Sequence, residues 1–246
     1  MKIKLKITKK HCYDIILNKR WKSLKTIIPI GCDCHPAHML EILNLRKQSL
    51  PFDWLDTEPI YSIKYAYENI VNKFNFFLRD LKEDNEGKVF SNKFKYSIFY
   101  HYDDLIINKK LQVKIQNRCI NFIKLIKTKP IYFLNTVTSE SINSNEKVKF
   151  FLNSVLEFQN ILKRKDILII YLRYDETQDE NKLFCDKLID ELEFFDKNIR
   201  IIKYIREKKL FGIWGDEKKY TAFIRKIGIS IYPIFPKIII KKHKIN

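Results

Sequence analysis

The chain has 246 residues, 46% hydrophobic and 14% aromatic, which is enough apolar surface for a full core and too much for a disordered segment. Five cysteines, odd in number and irregular in spacing, exclude a disulfide framework and point to free thiols in a reducing compartment. No apolar run follows the Met-Lys-Ile-Lys-Leu-Lys start and none is long enough to span a bilayer, so the expectation is no signal peptide, no membrane span and a cytoplasmic location.

Residues 1–25 read as basic and irregular, with an edge strand at Ile3 to Ile7. Thr26 to Ile30 is a short β-branched run ending in Gly31, the signature of a buried strand. Pro36 suits a first helical turn, and Ala37, Leu40 and Leu43 carry helical spacing to about Leu45, so Gly31–His35 is a tight strand-to-helix turn. Residues 59–82 read as helical and Phe94 to Tyr102 as a strand. Val113 to Lys127 is an amphipathic helix that Pro130 stops, and Ile131 to Leu134 is a strand.

The alternation then repeats: helix over Glu146–Lys163, strand over Asp166–Leu172, helix over Asp179–Phe195, strand over Ile199–Tyr204. Gly212 to Asp216 is a loop around Trp214. Ile227 to Tyr232 and Ile238 to Ile240 are strand candidates that Pro233 and Pro236 confine to edges. Strands with continuous apolar sequence between helices predict one α/β domain over 1–246, three-layer and Rossmann-like with a mostly parallel sheet, residues 1–25 and 237–246 being peripheral basic segments. A papain-like α+β fold is the alternative.

The net charge of +18 invites a nucleic-acid reading. Its lysines, however, fall singly along the chain, as a lysine-rich composition would place them, so nucleic acid is not expected as a partner. The dense cluster Lys237 to Lys244 reads as a strand with a solvated tail.

Ligands of a parallel α/β sheet collect at the carboxyl ends of its strands. That rule selects the Gly31–His35 turn, Asn135 after one strand and Arg173 after another. In Gly31-Cys32-Asp33-Cys34-His35-Pro36, a cysteine just ahead of a helix start faces the positive end of the macrodipole, which predicts a lowered thiol pKa and a competent nucleophile. The same position also suits a buried cysteine that merely fills the turn. Cys32, Cys34, His35 and His38 match no zinc spacing, and neither metal nor cofactor is expected. His101, after an aromatic run and before Asp103 and Asp104, is the base candidate, or else a packed core histidine. Asp53, between two aromatics, either caps the next element or orients His101 or Arg46.

The run Gly31, Cys34, Ala37, Leu40, then Leu45, Arg46, Ser49, Pro51, Phe52, Asp53, Trp54 resembles the signature of a domain family described as "putative papain-like cysteine peptidase". The resemblance extends over roughly residues 26 to 175. It implies a Cys-His thiol hydrolase, peptidase-like or acyltransferase-like, with Cys34 as nucleophile. His101 and the Asn117-Arg118 helix with its Ile131 strand look like the family's later elements, although Tyr102 separates His101 from Asp103. The candidate site is then Cys34, His101, Asp53 and Asp103 for catalysis, with Arg46, Arg118, Asn135 and Arg173 for substrate, which would be a peptide or an anionic small molecule. The competing reading is a Rossmann-like transferase or nucleotide- or sugar-binding domain in which Cys34 is structural.

Overall fold

A computed structural model describes residues 2–8, 11–177 and 180–244. The chain runs β1 (Lys2–Thr8), β2 (His11–Ser23), β3 (Thr26–Pro29), α1 (His35–Ile42), β4 (Asp56–Thr57), α2 (Ser62–Val71), β5 (Leu81–Glu83), β6 (Val89–Ser91), β7 (Ser97–Ile98), α3 (Lys109–Thr128) and β8 (Ile131–Thr138). It continues with α4 (Asn145–Gln159), β9 (Ile167–Asp175), α5 (Lys182–Glu193), β10 (Ile199–Arg206), α6 (Lys208–Phe211), α7 (Glu217–Lys226) and β11 (Ile231–Lys244).

Four strands form a sheet in the order β10-β9-β8-β3, with every pairing parallel. Seven consecutive residues of β8 and seven of β9 are buried, as a strand covered on both faces requires. Alternate residues along each strand serve different cores. Ile28, Phe133, Leu168 and Ile170 join the helices α2 to α5 in one cluster. Ile27, Tyr132, Leu134, Ile169 and Tyr171 join α1 and α7 in another. Helix starts are fixed by local acceptors: Asn108 Oδ1 takes the Leu111 N–H at α3, and Asp216 Oδ1 takes the Lys218 N–H at α7.

Beside this body lie two antiparallel sheets, β4-β7-β6-β5 and β1-β2-β11. The second changes the reading of residues 1–25: β2 is a strand of 13 residues and the middle of a three-stranded sheet. The two late strand candidates are one strand, β11, with its register shift between Ile234 and Lys237, where Pro236 falls. β11 is an edge strand, as its prolines require. The sheet is fastened to the body where the Trp21 N–H donates to Leu43 O (2.9 Å) and Arg20 donates twice to Asn44 Oδ1 (3.1 and 2.8 Å).

Three other expectations need correction. Residues 59–82 are not one helix: α2 ends at Val71, and left-handed φ at Lys73 (54°), Phe74 (62°) and Asp80 (50°) turns the chain so that Phe74 and Phe77 enter the core from non-helical backbone. Of Phe94 to Tyr102 only Ser97–Ile98 is strand; the rest is turns that bury Phe94 and Phe99. Helix α7 stands just ahead of the Ile227 strand candidate, which begins only at Ile231. The expected helix start at Asp179 lies outside the described residues.

Candidate active site at the carboxyl edge of the parallel sheet

The turn from β3 into α1 is held from three sides. Gly31 leaves no room for a side chain, since a Cβ there would stand 2.7 Å from Thr136 Oγ1 on β8. Asn135 Nδ2 donates to Ile30 O and to Ser62 Oγ (both 3.0 Å), and the Thr57 N–H donates to Cys32 O (2.7 Å). Cys34 occupies the N-cap position of α1 without a side-chain cap bond; Asp33 Oδ1 instead accepts the His35 N–H (3.0 Å).

Asp33 is also the start of a charge relay across the strand ends. Arg173 Nη1 donates to Asp33 Oδ2 (2.6 Å), and Arg173 Nε lies 3.6 Å from Asp175. Asp175 takes two hydrogen bonds from Arg206 (both 2.7 Å) and an ion pair from Lys208 (2.9 Å). Burial alone would raise the carboxyls of Asp33 and Asp175, but the facing guanidinium groups override it and hold both below the usual carboxylate range.

His35 is enclosed by Tyr171, Tyr204 and Tyr220, with ring centroids 5.5–6.3 Å away. Its Nε2 lies 3.1 Å from Trp214 O, a pure acceptor, so Nε2 carries the proton and Nδ1 accepts from the Tyr171 hydroxyl (3.1 Å). Burial, with Arg173 nearby, pushes the His35 pKa down to about 3, which keeps the ring neutral. His38 stacks on Trp214 at 3.7 Å, so both histidines of the turn hold the loop that follows α6.

Of the described cysteines, Cys32, Cys119 and Cys185 are buried and Cys34 alone is half-open. The expected lowering of its thiol pKa is not found. Burial, and after it the neighbouring Asp33 carboxylate, pushes the Cys34 thiol up. Burial first, and the ionised Asp33 carboxylate second, outweigh whatever the start of an eight-residue helix contributes.

The remaining candidates form two further groups. Asp53 is fully buried; its Oδ2 accepts from Arg46 Nη1 (2.8 Å) and from the Leu50 N–H (2.9 Å), and burial raises its pKa to about 6 against those bonds. Arg46 also pairs with Glu41 and lies over the Trp54 ring at 5.1 Å. On the same indole, His101 rests edge-on at 5.7 Å. His101 is exposed on a turn after β7, and its ring contacts are Trp54 and Tyr100 (5.2 Å), with none to Cys34. Asp103 is exposed and pairs with Lys88 (3.6 Å), while Arg118 donates to the Tyr102 hydroxyl (2.6 Å). Asn135 and Arg173, expected just after their strands, lie instead within β8 and β9, where Asn135 is fully buried and Arg173 is 5% exposed; they brace the Cys34 turn from inside the sheet, while Trp54 links Asp53, Arg46 and His101. Sequence reasoning passed over Asp33 as the partner of Arg173, along with the tyrosines around His35; an aspartate in the same turn as the candidate nucleophile was the available signal. Among the described residues no cluster of three or more ligating side chains could hold a metal ion, and no helix is long and apolar enough to cross a membrane.

A mimivirus protein of Acanthamoeba polyphaga mimivirus, itself described as uncharacterized, is 40% identical over 50 residues, a match covering 20% of this chain and 22% of that relative. No solved structure matches the chain. A family model described as "Putative papain-like cysteine peptidase", a domain of unknown function, matches residues 25–176, which is the β3-to-β9 part of the fold including the whole rim, and the chain belongs to that family.

Proposed function

We propose that the protein is a cysteine-dependent hydrolase on a three-layer, Rossmann-like α/β scaffold, with Cys34 as nucleophile and His101 as base. One observation carries this reading: Cys34 is the single half-open thiol among the described cysteines, and it stands at a helix start on the sheet's carboxyl edge. Because burial and Asp33 favour the protonated form of that thiol, Cys34 rests as a thiol rather than a thiolate. The base then removes the proton as Sγ attacks the acyl carbon, and returns it to the leaving group when the carbon–leaving-group bond breaks; water hydrolyses the thioester. With the His35 N–H held by Asp33 and none on Pro36, the other backbone N–H groups of the turn would hold the oxyanion. His101 reaches the thiol by movement of its exposed turn, guided by Trp54, which Arg46 and Asp53 support; Asp103 is the second carboxylate able to orient it. Asn135, Arg118 and Arg173 shape the substrate side, for a peptide-like or anionic small molecule in a cytoplasmic setting.

A second reading, a transferase or nucleotide- or sugar-binding domain with a structural Cys34, is favoured by the raised thiol. Stoichiometric acylation by a panel of activated esters and peptide thioesters separates the two. Acylation confined to Cys34, and abolished in Cys34→Ala with the fold intact, is the expected result. Equal labelling of Cys34→Ala and the parent would leave the ligand-binding reading.

A further inference from the structure

The +18 charge is not spread evenly once the chain is folded. The strands β1, β2 and β11 hold ten lysines and arginines against a single carboxylate, Asp14, so half of the chain's net charge lies in one small sheet. These strands come from opposite ends of the sequence, which is why the lysines look scattered before pairing. Asp14 is buried, 4% exposed, and by register it sits opposite both Lys4 and Lys241.

Register also sorts the residues by face, because directly opposite residues in antiparallel pairs share one side. Lys22–Tyr232, Asn18–Lys237 and Asp14–Lys241 are rows of one face, with the rows Arg20–Ile234 and Ile16–Ile239 between them. Lys22, Tyr232, Asn18, Lys237 and Lys241 are all exposed. The other face carries the aliphatic rows Ile3–Ile15–Ile240 and Leu17–Ile238, with Lys19 as its exposed cation, and Trp21 there packs against the body. At ~3.4 Å per residue, the 13 residues of β2 make the basic face roughly 40 Å long.

We infer that this face of the β1-β2-β11 sheet binds nucleic acid through its phosphates. Dense, uncompensated lysine on an extended surface is the electrostatic footprint of a polyanion site. Lysines dominate the face and Asn18 is its one exposed amide, so phosphate contacts carry the binding and its dependence on sequence is weak. The opposed faces disfavour a lipid surface, since a membrane covering the isoleucines would leave the basic rows turned away from it. Mutual repulsion of two such sheets disfavours a second copy.

The test is fluorescence anisotropy of the full chain with a 30-nucleotide single strand and a 30-base-pair duplex, each as DNA and as RNA, over a range of salt. The expected dissociation constant is ~1 µM or tighter near physiological salt, the strong end of sequence-independent binding. In the duplex titration, the triple variant Lys22→Glu, Lys237→Glu, Lys241→Glu should weaken binding by at least ~10-fold and flatten the plot of log K against log salt by roughly 2–3 units. A control variant with the same charge change on helix α3, Lys110→Glu, Lys114→Glu, Lys124→Glu, should bind like the parent, and circular dichroism should show both folded. A ratio between DNA and RNA names which backbone is preferred. Equal losses in the two variants, affinity no better than ~100 µM for every probe, or binding to vesicles of anionic lipid without binding to nucleic acid would each overturn the inference.

Discussion

The two turns that carry the candidate cysteine and the candidate histidine are built on opposite principles. Around Cys34 nearly every polar group is spoken for: Asp33 by Arg173 and the His35 N–H, His35 by Tyr171 and Trp214 O, Cys32 O by the Thr57 N–H. Around His101 the chain is open, and one ring edge against Trp54 and one against Tyr100 are its contacts. The difference separates rigidity from reach. A nucleophile needs its position fixed to within fractions of an ångström, and a buried ion network supplies that; a base on a turn can approach, withdraw and leave the thiol neutral between turnovers.

The sharpest way to break the comparison is Arg173→Met. Arg173 is 5% exposed, and its loss leaves Asp33, 24% exposed, without its guanidinium. Because Asp33 is partly solvated, the cost should fall at the low end of the about 3–5 kcal/mol of fully buried pairs, to be read from urea unfolding. Adding Asp33→Asn to Arg173→Met should recover part of that loss, because no buried charge is then left over; no recovery would mean that the relay is not what fixes the turn.

The next effect is set by acid. His35 has a folded pKa of about 3 against 6.5 in the unfolded chain. Between those values the unfolded chain binds the extra proton, so the contribution is fully present above pH 6.5 and is lost as pH falls toward 3. Its size is roughly 5 kcal/mol over that whole span, of which roughly 3 kcal/mol falls above pH 4. Asp53, raised to about 6, works in the other direction: its contribution is present at low pH and lost as pH rises through 6. The difference between the parent and His35→Gln therefore isolates the histidine. That difference should shrink steadily from pH 7 to pH 4 in urea melts; a constant offset would show that folding leaves the His35 pKa unshifted.

The smallest effect on stability should come from His101→Ala. An exposed side chain with two ring contacts is worth no more than about 0.5 kcal/mol. The same change should nonetheless suppress acylation of Cys34. A variant that unfolds early but acylates normally would assign His101 to the structure and leave the base to be found elsewhere.

How much of this was legible beforehand follows from the range of the interactions. Strands β8 and β9 announced themselves because burial on both faces writes an unbroken apolar run, and the parallel sheet followed from their spacing with the helices between them. The strands run further than their apolar cores suggested, so Asn135 and Arg173, read as lying past them, sit inside β8 and β9. What the sequence hid is long-range: Asp33 and Arg173 are 140 residues apart, and no local pattern pairs them. The terminal sheet was hidden for the same reason. Alternating lysine in β1 and the polar Asp14 and Asn18 in β2 look like solvated chain until a strand more than 200 residues later is laid beside them.

That separation has a consequence during synthesis. β2, ending at Ser23, leaves the ribosome about 200 residues ahead of its partner β11, which begins at Ile231. At ~5–20 residues per second, one side of β2 waits roughly 10–40 s for its pairing partner. During that interval the nascent chain presents an unpaired edge 13 residues long, Ile15-Ile16-Leu17 included, the kind of segment that seeks strands on other chains. The lysines of β1 and β2 then guard the newborn polypeptide against its neighbours well before they meet any partner of the finished protein.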